Sequence, residues 1–269
     1  MPSHLRHHFR QLPASPRYLV GTWPRAACMM QAVRFAARCS YRDLASVCRW
    51  AGLDAGGRRQ GGVPASALRR LMRIAACNAS GNIYHQAGHF AHVVMAAGLL
   101  ATAAGLNRKE RRLLVLAGLV HDLDHQGRRA ASRLHHQERM SANRAARVIV
   151  GRGGDARLSR RLHTLLRATA LPADGDRAII LKSDRLARLL TDADIFASVV
   201  YPRHRSIAMT LALKLEQRFP TSTARLHHQF AELISASGLQ SDLARSLLQA
   251  VLQSRHPARN AVRMSGREQ

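Results

Sequence analysis

If residues 84 to 94, YHQAGHFAHVV, are helical, three imidazoles fall on one side of the helix: His85 and His89 stand four apart and His92 follows three later. Such spacing suits a pair of metal ligands, but it is permissive, because a chain with 15 histidines produces an i, i+4 pair easily by chance. A second segment, LAGLVHDLDHQG at 116 to 127, closes an apolar run with the adjacent pair His121 and Asp122, then adds Asp124, His125 and Gly127. Ionisable neighbours at the end of a buried apolar helix cost desolvation unless a metal or charged partners compensate. A third segment, TDADIFASVV at 191 to 200, sets Asp192 and Asp194 into another apolar helix. Either carboxylate could point inward; Asp192 suits the solvated side better, because Leu189, Leu190 and Ile195 need the opposite one.

These residues must be positioned by helices. After Pro64 the chain is a succession of helical patterns broken by Gly, Pro, Asn or Asp, with no alternating strand and no internal repeat. The periodicity predicts helices near 65 to 77, 84 to 104, 108 to 124, 135 to 150, 156 to 169, 176 to 199, 203 to 218, 222 to 236 and 240 to 254. The expected fold class is therefore all-α, a compact multi-helix bundle with short connections, and such bundles build metal sites from side chains on facing helices. Upstream, four prolines within residues 1 to 24 suggest an exposed tail, 25 to 50 has helical spacing, and the Gly-rich run GLDAGGRRQGGVP at 52 to 64 reads as a linker. The expected organisation is a basic N-terminal extension over 1–62, a catalytic domain over 63–258 and a tail over 259–269.

The ordered set of a histidine, a His-Asp pair and a downstream Asp resembles the HD superfamily of metal-dependent phosphohydrolases. Tyr84-His85-x-x-x-His89 followed by His121-Asp122-x-Asp124-His125-x-Gly127 is most similar to the catalytic domain of class I 3′,5′-cyclic-nucleotide phosphodiesterases. The resemblance implies that His89, His121, Asp122 and Asp194 hold a tighter metal, zinc, and that Asp122 bridges to a second ion, magnesium or manganese. It implies His85 as general acid, Tyr84 at the substrate, and Asp124, His125 and His92 as supporting groups. The expected enzyme is a metal-dependent phosphohydrolase that opens a cyclic nucleotide to a 5′-monophosphate with a metal-activated hydroxide. Gln86, His92 and Gln126 depart from the family pattern. Glu138 is the candidate acidic partner of the catalytic histidine, with a helix-surface ion pair as its competing role. No convincing counterpart of the family's base-reading glutamine is found; Gln229-Phe230 comes nearest.

Composition bounds the rest. Hydrophobic residues make up 46% of the 269 and aromatics only 4%, which favours helix over sandwich or barrel. The formal net charge is +26, and the only lysines are Lys109, Lys182 and Lys214, so the basicity is almost all arginine. A nucleic-acid or anionic-surface partner therefore competes with a compositional origin of the charge, since a GC-rich coding sequence also yields arginine. Alternatives to the cyclic-nucleotide reading are another HD-type nucleotide phosphohydrolase and a catalytically dead, Arg-rich binding domain. Cys28, Cys39, Cys48 and Cys77 show no CxxC spacing and read as reduced thiols. With no secretory h-region and no apolar run of spanning length, the expected location is the cytoplasm.

Overall fold

The computed structural model describes residues 12–34, 39–57, 59–60, 62–78, 85–125, 136–170, 175–200 and 238–255. Eleven helices lie among them: α1 (Arg17–Val20), α2 (Trp23–Arg34), α3 (Tyr41–Trp50), α4 (Ala65–Ala76), α5 (Ala87–Ala103), α6 (Arg108–Val120), α7 (His136–Val150), α8 (Ala156–Arg167), α9 (Gly175–Ser183), α10 (Arg185–Val200) and α11 (Asp242–Arg255). The architecture is all-helical, as expected. The one sheet among the described residues is a hairpin of two-residue strands, β1 (Arg59–Gln60) and β2 (Val63–Pro64), turned by Gly62 at φ +90°. No helix of the described residues is long and apolar enough to cross a membrane.

α5 is the axis of the bundle. It contains no charged residue apart from its histidines, and every position from Ala87 to Ala101 is buried. A helix apolar on all sides must be enclosed, and α1, α2, α3, α4, α6, α10 and α11 all touch it. Close approach is bought with small residues. A Cβ placed on Gly98 would sit 2.8 Å from the Ala51 Cβ and 3.1 Å from its Cα, so α5 and the end of α3 meet almost backbone to backbone. We expect Gly98→Ala to destabilise the protein by about 1–3 kcal/mol despite alanine's better helix propensity, because the obstacle includes backbone that cannot swing aside. A thermal melt checks this; an unchanged or raised Tm would show that the two helices separate freely.

α6 begins at a capping box: Asn107 Oδ1 accepts from the Lys109 and Glu110 amides while Glu110 Oε2 accepts from the Asn107 amide. Its second half, Leu114 to Val120, is wholly buried. Gly118 brings it against α5, where an added Cβ would lie 3.4 Å from Val93 Cγ1.

Several expected elements differ. The helix expected over 176–199 is two helices, α9 and α10, broken at Asp184. Asp184 Oδ1 accepts from the Leu186 and Ala187 amides and so caps α10, while its carboxylate holds both terminal nitrogens of Arg161 on α8. Burial alone would raise the Asp184 pKa, but the Arg161 guanidinium and the two amides outweigh it and hold the carboxyl below its ordinary range. A depressed folded-state pKa contributes stability above the unfolded value near 3.9, and that stability is lost as pH falls through the folded value. Asp184→Asn is therefore expected to cost about 1–2 kcal/mol at neutral pH. The loss should shrink in acid below about pH 4, a pattern that denaturation at several pH values would reveal.

The expected exposed tail is also corrected within its described part: Leu19 and Trp23 are buried, and Trp23 meets Phe196 of α10 edge-on with centroids 6.3 Å apart. Helices α1 to α3 share one hydrophobic cluster with the helices after residue 62. The described end of the Gly-rich run is tied to the bundle, since the Gly62 carbonyl accepts from the Asp155 amide ahead of α8. The helices expected over 203–218 and 222–236 lie outside the described residues, as do Tyr84, Gln126, Gly127 and Gln229-Phe230.

Candidate metal centre

Three elements converge at one end of α5. His85 lies two residues ahead of that helix, where Asn78, just past the end of α4, donates from Nδ2 to the His85 carbonyl at 2.8 Å and fixes the approach of the chain. His89 and His92 follow within α5. The helix expected to run to 124 ends at Val120, with His121 as its C-cap, and the chain turns through Asp122, Leu123 and Asp124. Asp124 adopts φ +61°, a left-handed conformation that carboxylate and amide side chains tolerate better than most, and this turn brings His125 back beside His85. Ser141 of α7 secures it by donating to the Leu123 carbonyl at 2.9 Å. The middle of α10 supplies Asp194.

His89, His121, Asp122 and Asp194 meet. The Nε2 atoms of His89 and His121 are 2.9 Å apart. Asp122 Oδ2 lies 3.3 Å from the first and 3.2 Å from the second, and Asp194 Oδ1 lies 3.3 and 3.5 Å from them. Donors placed tetrahedrally at zinc-ligand bond lengths stand about 3.3 Å from one another. The four atoms thus have the spacing of a ligand shell.

Hydrogen bonding alone does not account for this cluster. His121 Nδ1 lies 2.9 Å from the Gly118 carbonyl oxygen, which can only accept, so Nδ1 carries a hydrogen and Nε2 is the nitrogen turned to the centre, protonated in the charged ring and a lone-pair donor in the neutral one. His89 Nε2 faces two carboxylate oxygens and the His121 Nε2 and can offer at most one proton. Asp194 Oδ1 is buried without a hydrogen bond among the described residues. Burial is the largest single influence on His121, Asp122 and Asp194 and disfavours their charged forms. Their mutual attraction still outweighs it, holding the His121 imidazolium well above its ordinary pKa and both carboxylates below theirs. A small cation among these donors would satisfy all four at once.

A second group adjoins the first. His85 Nδ1 is 2.8 Å from Asp122 Oδ2, and the His85 ring stacks on His125 with centroids 3.6 Å apart. His85, Asp122 and His125 could hold a metal ion, as could His89, His121 and Asp194. One oxygen, Asp122 Oδ2, is common to both neighbourhoods. The imidazoles of His89 and His121 are closed off from solvent at 1% and 0% side-chain exposure, whereas Asp122 and Asp194 each retain 17%. The carboxylates thus form the side of the centre that faces solvent.

Three further expected site residues lie outside the two donor groups. His92 is fully buried one turn further along α5. Asp124 is exposed and turns toward Arg144 of α7, with 3.2 Å between Oδ2 and Nε. Glu138 is half-buried in the first turn of α7, and the carboxylate on His85 Nδ1 is that of Asp122. Asp192 is the clear correction: expected on the solvated side, it is wholly buried. Its carboxylate accepts from the Gln240 amide and from the amide and hydroxyl of Ser241, and Ser241 Oγ in turn accepts from the Ala244 amide in the first turn of α11. α10 has no solvated side here, because α11 covers it. The pairing joins residues almost fifty apart in the chain, and no local spacing signals it.

No protein-family model and no curated protein matches the chain.

Proposed function

We propose that this chain is a metal-dependent phosphohydrolase acting on a phosphodiester, with a 3′,5′-cyclic nucleotide as the substrate class and a 5′-monophosphate as product. The observation that carries the reading is the single carboxylate oxygen, Asp122 Oδ2, lying within 3.3 Å of three imidazoles at the solvent-facing side of a buried His/Asp cluster. His89, His121, Asp122 and Asp194 would hold the tighter ion, and two nitrogens with two oxygens suit zinc or another borderline transition metal. A second ion, magnesium or manganese, would share Asp122. When bound, divalent ions would supply Lewis acidity there, acidifying water and neutralising phosphodiester charge.

The remaining chemistry belongs to side chains. Asp122 orients His85 by accepting from Nδ1, so the mobile proton sits on His85 Nε2, available to the leaving 3′-oxygen. The Gly118 carbonyl keeps His121 in the tautomer that presents Nε2, and the stacked His125 ring restricts rotation of His85.

Full-length protein, stripped with chelator and reloaded with single metals, tests the reading by elemental analysis and a panel of cyclic AMP, cyclic GMP, an artificial aryl phosphodiester and nucleoside mono- and triphosphates. The expected result is one tight ion per chain, a second weaker one, and turnover of diesters over monoesters. Preference for mono- or triphosphates would move the protein to another class of nucleotide phosphohydrolase. Absence of bound metal would overturn the centre itself.

A further inference from the structure

Among the described residues the positive charge is concentrated on one sector of the bundle. α4, α6, α7 and α8 are packed in a continuous group, with α4 on α6 and α7, α6 on α7 and α8, and α7 on α8. Their sequences carry fourteen Arg or Lys residues against two acids, Glu110 and Glu138, and Lys109 is the only lysine among them.

Like charges are stacked along the helices of this sector. Arg69 and Arg73 are one turn apart on α4, Arg108 and Arg112 on α6, Arg157 and Arg160 on α8. Like-charge pairs at such spacing destabilise a helix. Carboxylates do not relieve them: Arg144 and Arg161 have acidic partners, at Asp124 and Asp184, but none is found among the described residues for Arg69, Arg108, Arg157 or Arg160. The buried Nε atoms of Arg111 and Arg112 also lack hydrogen bonds there. The Arg112 pKa is lowered by burial first and by the charge of Arg108 second, which points to the same crowding. These helices hold repulsion that a polyanion would remove.

We propose that the solvent face of α4, α6, α7 and α8 binds the phosphodiester backbone of nucleic acid. Two features favour this occupant over a membrane. Helices that lie on bilayers bury an apolar face in the interface, whereas here the apolar faces are turned into the core and the large exposed hydrophobic side chains of the sector are Met140 and Val150. The charge is also nearly all guanidinium, whose planar fork matches two phosphate oxygens at once. The proposal does not depend on the reading of the metal centre.

Binding of a fluorescein-labelled single-stranded 30-nucleotide DNA to the full chain, followed by anisotropy in EDTA, tests the proposal without metal chemistry. A triple charge reversal on the sector, Arg70→Glu with Arg147→Glu and Arg160→Glu, is compared with an equal reversal elsewhere, Arg17→Glu with Arg25→Glu and Arg42→Glu. All six side chains are exposed, and circular dichroism verifies folding. The expected result is affinity that falls steeply with salt, and at least about tenfold weakening by the sector variant that the other variant does not share. Equal weakening by both would overturn the proposal in favour of diffuse net charge. So would binding to vesicles containing phosphatidylserine with none to the oligonucleotide, or binding to neither at 150 mM salt.

Discussion

Asp122→Ala is expected to remove the tighter metal and, with it, measurable hydrolysis. Asp122 Oδ2 is the atom on which the two donor groups meet, 2.8 Å from His85, 3.3 Å from His89 and 3.2 Å from His121. Loss of a group that merely supports a metal ligand costs about 10- to 100-fold in affinity or activity, so loss of the shared oxygen itself should exceed about 100-fold in affinity. Alanine also leaves the imidazoles without the nearest negative charge that compensates them in a buried site. Metal content after desalting is the direct readout, with circular dichroism to verify folding, and Asp122→Asn should fall between wild type and alanine because its amide keeps one neutral oxygen. Full metal content and full turnover in the alanine variant would end the proposal that this cluster is the working centre.

His85→Ala should separate holding from chemistry. In the proposed role of acid His85 would contribute a proton to the leaving oxygen and little to metal affinity, so the variant should keep any bound metal and lose about 10²- to 10⁴-fold in turnover. The defect should be smaller on an aryl phosphodiester, whose phenolate leaves without protonation, than on a cyclic nucleotide with an alkoxide leaving group. The structure makes this a sharp test, because His85, Asp122 and His125 also lie close enough together to take an ion. A variant that loses one metal equivalent, with equal damage on both substrates, would make His85 a ligand and leave the acid to be found elsewhere.

Much of the centre was legible because its chemistry conflicts with its surroundings. His121 and Asp122 follow seven buried apolar positions, Leu114 to Val120, and ionisable groups there demand a compensating partner. His85 and His89 do converge on that pair. Less legible was anything decided by contacts between distant segments. Asp192 and Asp194 look equivalent in sequence, and the preference for a solvated Asp192 assumed that α10 has a solvated side. The Ser241 hydroxyl and the Gln240 amide reverse that assumption. Asp184 carried an ordinary N-cap signal before Arg185, overridden in the reading by apolar periodicity that continues across the break. The prolines before residue 24 masked a buried Leu19 and Trp23, because proline marks where regular structure stops and not whether the neighbouring side chains are covered.

The enclosure of α5 has a consequence for biosynthesis. Its apolar surface is complete once residue 103 has been added, but α10 and α11, which cover part of it, end at 200 and 255. At translation rates of about 5–20 residues per second, the ribosome needs roughly 8–30 s to supply the last of that cover. For that interval a helix that is apolar on every side stands partly bare, and His89 waits for Asp194. Nascent chains should therefore depend on holding chaperones more than their modest length suggests, and an ion held by all four donors could enter only after most of the polypeptide has been made.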